Sequence, residues 1–175
     1  NRKSKDFPDV AVVVTDVENL KRNLLLFTQV KDLGIPTLLV INMADQMKRK
    51  GITLDIPVLE KALDTKIAMV STRENKGLQE LKQLIINYRE LSTTATISID
   101  SIDEEYFKNL EKIFPNQSLY KLWLVITQDV NFAKIDRKRV SDATDFKTES
   151  PSNLKRLQQK ETVKRYQFIN NVLKQ

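Results

Sequence analysis

Residues 38–45, L-L-V-I-N-M-A-D, pass through four aliphatic side chains, then Asn42, and three residues later Asp45. A short aliphatic run closed by polar residues predicts a buried strand emerging into solvent. Outward from it, residues 9–90 alternate such runs with segments of helical period, the pattern of parallel strands joined by right-handed helical crossovers. Three strands are expected, at about 9–15, 37–42 and 66–70. Asp16 is placed to cap a helix in which Leu20, Leu24, Phe27 and Val30 recur at helical spacing, and Gly34 with Pro36 stops it. After a polar stretch, Asp55 caps a short helix with Pro57 in its first turn, and Leu59 and Leu63 face inward. A helix from about Leu78 to Tyr88 follows the third strand.

The composition, L-S-T-T-A-T-I-S-I-D, changes between Leu91 and Asp100, and the domain boundary is expected there, dividing the chain into 1–91 and 92–175. Beyond it the pattern is all-helical. Phe107, Leu110 and Phe114 mark one helix, Leu119, Trp123, Ile126 and Val130 a second, and residues from about Ser152 to Leu173 a third. The fold class is therefore half of a doubly wound α/β sheet followed by an all-α domain. No internal repeat or low-complexity tract interrupts either half.

Composition excludes several chemistries. The chain has 175 residues, 41% hydrophobic and 30% charged, enough for a sizeable core. It contains no cysteine and no histidine, which rules out disulfides, thiolate or imidazole metal sites and imidazole-based triads. The apolar runs fall far short of the roughly 20 residues that span a bilayer. The opening N-R-K-S-K-D lacks the apolar core of a signal peptide, and the chain is expected to begin as a fragment does.

In open parallel sheets, ligands bind beyond the carboxyl ends of the strands. Asn42, Asp45 and Ser71 all belong to that edge. A carboxylate three residues after an amide suits guanine: it can accept from N1–H and from the exocyclic amine, while the amide ties neighbouring loops together and meets the purine edge. Adenine presents the opposite pattern. Ser71-Thr72-Arg73 closes the other side, where backbone N–H groups can point at the base carbonyl. The plainer alternatives are that Asn42 and Asp45 form a turn and a helix cap, and that Ser71 to Glu74 is a capping box.

P-D-V-A-V-V-V-T-D-V-E-N-L-K-R-N-L-L-L-F-T-Q from Pro8, L-G-I-P-T-L-L-V-I-N-M-A-D, K-G-I-T-L-D-I and V-S-T-R together closely resemble the ferrous iron transport protein B family over residues 8–90. The helical half resembles one branch of it more loosely. The resemblance implies a cytosolic GTP-binding domain of the P-loop class, then a helical domain, then a membrane region of the same polypeptide that carries Fe(II) at the bacterial inner membrane. It makes Asn42, Met43 and Asp45 the fourth guanine-nucleotide motif, and Ser71, Thr72 and Arg73 the fifth. GTP or GDP, with Mg²⁺ in a complete domain, is the implied ligand.

The phosphate grip G-x-x-x-x-G-K-[ST] is missing: the three glycines, Gly34, Gly51 and Gly77, stand in no such loop. These residues alone are expected to be catalytically inactive, to hold no nucleotide tightly and to bind no metal. A phosphate-loop strand would cover the V-A-V-V-V edge, so strand 9–15 is expected to pair with something, a second copy included. Two rivals stand beside this reading: a P-loop GTPase of another pathway, and a non-enzymatic binding module.

Most of the formal +6 charge lies in 151–175, where Lys155, Arg156, Lys160, Lys164, Arg165 and Lys174 face one acid, Glu161. A solvated helix face is the simple account. No recognition motif or aromatic run accompanies the charge, so nucleic acid is not an expected partner. Under the family resemblance, helix 152–173 could meet anionic lipid. Trp123 reads as core, and Glu104-Glu105 and Asp142-Asp145 as caps or solvated charge.

Overall fold

T-L-L-V-I-N is the central strand of a three-stranded parallel sheet. The computed structural model describes residues 8–127 and 149–174. Val130 and the pair Asp142-Asp145 lie outside the described residues. Strands β1 (Ala11–Asp16), β2 (Thr37–Asn42) and β3 (Ile67–Met69) lie in the order β1-β2-β3. Their register pairs Ala11 with Thr37 through Asp16 with Asn42, and Leu39 with Ile67 through Ile41 with Met69. The third strand is shorter than its sequence suggests. Its flanks still pair, with Val70 N–H donating to the Ile41 carbonyl at 2.9 Å and Leu39 N–H to that of Lys66 at 3.3 Å.

One face of the sheet carries the main core. Helices α1 (Leu20–Asp32) and α3 (Ile56–Leu63) contribute Leu20, Leu24, Phe27, Leu59 and Leu63, which pack on Val13, Leu39, Ile41 and Ile67. Leu24, Phe27, Leu39 and Ile41 are fully buried; burying each contributes about 2 kcal/mol. Asp55 caps α3 as its position suggests, accepting from Val58 N–H at 3.1 Å. Gly34 follows α1 with φ 72°, and its N–H donates to the Lys31 carbonyl at 2.9 Å. On the opposite face, α4 (Leu78–Ile86) lays Leu78, Leu81 and Leu84 over Val40, Ala68 and Val70.

Three local expectations are corrected. Asp16 does not cap α1: its carboxylate accepts from Asn19 N–H at 2.9 Å and from the Asn19 side-chain amide, closing a turn that delays the helix to Leu20. Those bonds hold the Asp16 carboxyl below the usual carboxylate range. The polar stretch after Asn42 is a short helix, α2 (Ala44–Lys50). The helix after β3 ends at Ile86, two residues before Tyr88, which opens a single 3₁₀ turn (Tyr88–Glu90).

The end of α1 also fastens the segment after α4. Lys31, fully buried, donates from Nζ to the carbonyls of Asp64 at 2.6 Å and Ser92 at 3.2 Å. Burial pushes its ammonium pKa down, and Asp64 opposes that shift. Next to it, Asp32 accepts from Thr96 N–H and Oγ1 at 2.6 and 2.7 Å. A lysine titrating below its unfolded value binds fewer protons in the folded state, so this group's contribution to stability rises with pH from its lowered value toward 10.5. Lys31→Met should flatten that alkaline limb in urea-midpoint measurements against pH.

The described chain divides into two compact units, one reaching to Thr96 and resuming at Tyr166, the other Ile97–Arg165. The first unit is thus discontinuous in sequence, and its core includes Ile169 and Val172. The second unit holds a 3₁₀ turn (Ile99–Ile102), α5 (Glu104–Ile113), α6 (Leu119–Thr127) and the start of α7 (Pro151–Val172). Asp103 caps α5 through Tyr106 N–H at 3.1 Å. Phe107 and Trp123, both fully buried, meet edge to face with centroids 5.5 Å apart. The Trp123 indole donates to Glu161 at 2.6 Å, Arg165 donates to the other Glu161 oxygen at 2.8 Å, and the guanidinium lies 5.0 Å from the Tyr120 ring centre. Arg165, counted among the basic residues of the tail, is therefore inside the unit.

Candidate functional site

The carboxyl ends of β2 and β3 bring the two polar motifs together. Asn42 closes β2; Met43 then takes φ 62°, and α2 begins at Ala44. That left-handed residue turns the chain sharply enough for Ala44 N–H to donate to the Val70 carbonyl at 3.1 Å, drawing the start of α2 onto the end of β3. A non-glycine residue in this region is uncommon and stores strain, which is tolerated where the surroundings fix the turn. The Met43 side chain is exposed.

After β3 the chain makes a tight hairpin. Ser71 and Lys76 exchange both backbone hydrogen bonds, at 3.1 and 3.0 Å. Asn75 (φ 55°) and Gly77 (φ 76°) complete the reversal into α4. This is why Ser71 to Glu74 is not a capping box: Ser71 Oγ does accept from Glu74 N–H at 3.2 Å, but residues 72–75 form a turn and the helix starts at Leu78. Gly77 fits nothing larger. A Cβ there would lie 2.1 Å from the Met69 carbonyl oxygen, and the left-handed backbone adds about 1–2 kcal/mol for any L side chain. Gly77→Ala should lower stability by at least about 2 kcal/mol, measured as a drop in urea midpoint at unchanged m-value.

Across the two motifs, Ser71 Oγ–H donates to Asp45 Oδ1 at 2.8 Å, and Thr72 N–H donates to Asn42 Oδ1 at 3.3 Å. Ser71 is almost fully buried, so its hydroxyl acts on the Asp45 carboxylate and not on solvent. All six residues singled out from sequence, Asn42, Met43, Asp45, Ser71, Thr72 and Arg73, lie at this one edge. The N–H groups of Ser71 and Thr72 are engaged within the protein, the second through a long bond; among the described residues the N–H of Arg73 has no protein partner. An open hollow of about 640 Å³ lies against Asp45 and Ser71 and is bordered by Arg49, Arg73 and Lys76. Lys76 pairs with Glu74 at 2.7 Å, which holds its ammonium above its ordinary range. Arg49 and Lys76 were not singled out from the sequence. Arg49 stands four residues after Asp45 on α2, a placement visible only once that helix is recognised.

Among the described residues no cluster of three acidic side chains is arranged to hold a metal, and no helix is long and apolar enough to cross a membrane.

Comparison with known proteins follows the same residues. A family model described as ferrous iron transport protein B matches residues 3–85. The Fe(2+) transporter FeoB of Leptospira biflexa is 38% identical over 77 residues, 44% of this chain and 11% of that protein. A Porphyromonas gingivalis protein, a fusion of Fe(2+) transport protein A with the transporter FeoB, is 37% identical over 83 residues, 47% of this chain and 10% of its own length. The aligned part thus spans about a tenth of these relatives. Among solved structures, the cytosolic domain of the T. maritima FeoB iron transporter in apo form superimposes with a TM-score of 0.83 at 18% identity, covering 98% of this chain and 68% of that one. Its GDP form II and GMPPNP form each give 0.81 at 20% identity. These structures share the fold, an α/β part followed by a helical part. Residues 3–85, a little under half of the chain, thus match the ferrous iron transport protein B family.

Proposed function

We propose that this chain supplies the base-recognising side of a guanine-nucleotide-binding region in a ferrous iron transporter. The observation that carries this reading is the convergence of Asn42 and Asp45 with Ser71 and Thr72 at the carboxyl edge of the sheet. Asp45 accepts from the base N1–H and exocyclic amine. Ser71 is a positioning residue, holding that carboxylate through a 2.8 Å bond. Asn42 ties the two loops and presents its amide to the purine edge. The base carbonyl is met by backbone N–H groups of the 71–73 turn, that of Arg73 and that of Thr72 once its long bond to Asn42 is exchanged. Met43 and Arg73 flank the base.

In this reading residues 1–91 are the carboxyl-side part of the GTP-binding domain, and 92–175 a helical domain leading to the membrane region on the cytoplasmic face of the bacterial inner membrane. GTP or GDP state, relayed through that polypeptide, regulates iron passage. Selecting a base is all that these residues do. The chain has no phosphate loop, so its residues do not fit the phosphates and Mg²⁺, and no catalytic step is assigned to it. The test is nucleotide titration of this chain joined to a phosphate-loop segment. GDP should bind at least about 100-fold more tightly than ADP; equal affinities would remove the assignment.

The basic helix carries a weaker proposal. Arg165 is buried against Glu161, and Lys164 is bonded to the Ser101 carbonyl, which leaves Lys155, Arg156 and Lys160 exposed on α7. Each contributes roughly 1 kcal/mol near an anionic bilayer. Cosedimentation with phosphatidylserine vesicles should exceed that with phosphatidylcholine, and Lys155→Gln with Arg156→Gln and Lys160→Gln should abolish the difference.

A further inference from the structure

The outer edge of β3 is largely closed by the chain itself. Alternate residues of a strand address opposite sides; Lys66 and Val70 bond to β2, so Ile67, Met69 and Ser71 address the outside. Ile67 N–H donates to Glu60 Oε1 at 2.9 Å. Ser71 exchanges both of its backbone bonds with Lys76. The Met69 carbonyl lies under Gly77, where a Cβ would approach its oxygen to 2.1 Å. A further strand finds little to pair with here. The hollow of about 640 Å³ at this corner therefore suits a small molecule, and its size is that of ligand sites, roughly 300–1,000 Å³.

Its border is charged. Arg49, Arg73 and Lys76 meet Asp45 and Glu74 around it. Both carboxylates already have donors: Asp45 accepts from Ser71 Oγ–H at 2.8 Å, and Glu74 from Lys76 Nζ at 2.7 Å. The guanidiniums differ. Among the described residues neither Arg49 nor Arg73 has an acidic partner, although Arg49 stands four positions after Asp45 on α2, a spacing that permits a helical ion pair. Two exposed guanidiniums, one from α2 and one from the turn after β3, thus border a single hollow with their donors unused by the protein. Asn42, Met43 and Thr72 do not border it, which sets it beside the proposed base site and not within it.

We propose that this hollow is an oxyanion site that takes a phosphate group, free or esterified, between Arg49 and Arg73. A guanidinium presents a planar pair of donors matched to two oxygens of an oxyanion. A carboxylate has two oxygens and satisfies one such fork. A phosphate has oxygens for both, and its charge offsets two neighbouring cations that would otherwise repel. Lys76 adds a third positive charge, shared with Glu74. The site needs no guanine, so it stands or falls independently of the base reading.

The test titrates this chain with inorganic phosphate and, separately, with glycerol phosphate, following the arginine Nε–H resonances by nuclear magnetic resonance. Those of Arg49 and Arg73 should shift saturably with phosphate and stay in place with chloride at equal ionic strength, since screening has no fixed geometry. Arg49→Gln or Arg73→Gln, each at an exposed position that spares the fold, should weaken binding at least about tenfold, the loss of one charge-assisted pair of bonds. Lys160→Gln, on the basic helix, should leave it unchanged. Equal binding of both probes supports a site for phosphate esters, and binding of inorganic phosphate alone supports a site for the free ion. Shifts that fail to saturate, that chloride reproduces, or that persist when both arginines are replaced overturn the proposal.

Discussion

Asp45→Asn, in this chain joined to a phosphate-loop segment, is expected to weaken GDP binding by at least about 100-fold and to strengthen binding of xanthine nucleotides. The carboxylate is an acceptor at both oxygens, and guanine offers it two donors, N1–H and the exocyclic amine. An asparagine keeps one acceptor and gains a donor. Set against guanine, its NH₂ meets the base amine donor to donor, with both groups desolvated and unpaired. Xanthine carries a carbonyl where guanine carries the amine, so the same NH₂ finds an acceptor. Ser71 Oγ–H, 2.8 Å from Asp45 Oδ1 in the present chain, can still donate to an asparagine carbonyl, so the side chain keeps its orientation and only the base preference changes. Calorimetric titration with GDP and XDP checks this; an unchanged GDP affinity would show that Asp45 does not face the base.

The second large effect concerns stability. Glu161→Ala should destabilise the Ile97–Arg165 unit by about 3–5 kcal/mol, the usual consequence of removing one member of a buried ion pair. Glu161 is the shared acceptor of the Trp123 indole and the Arg165 guanidinium, at 2.6 and 2.8 Å. Its loss strands a buried cation and a buried N–H together. Trp123→Phe removes only the donor and a little volume and should cost less, about 1–2 kcal/mol. Glu161→Gln keeps an acceptor for the indole and loses the charge, so it should fall between them. Thermal unfolding followed by circular dichroism ranks the three; equal effects would mean that packing, and not the shared carboxylate, holds α6 to α7.

The strands were legible because their aliphatic runs are dense and their ends carry Asn42 and Ser71. Helix α2 was not, since A-D-Q-M-K-R-K has no apolar period: the helix is held by its entry turn at Met43 and by Ala44 N–H on Val70, both tertiary facts. The capping-box pattern at Ser71 misled for a related reason. A local motif specifies a helix only if the backbone after it stays right-handed, and Asn75 and Gly77 do not. The six candidate residues could be picked from sequence as neighbours at one sheet edge; that Ser71 acts on Asp45 could not, because 26 positions separate them. The net charge of the tail was countable but not its placement, because a residue count does not distinguish a lysine in water from Arg165 over a tyrosine ring.

The chain has one tryptophan, and it is Trp123. Fully buried, with its indole N–H on a carboxylate, it is a native optical probe confined to the Ile97–Arg165 unit. Excitation at the red edge of indole absorption leaves the edge proposed to recognise the base dark. A change in emission when nucleotide binds would then report a response of that unit, readable without any added label.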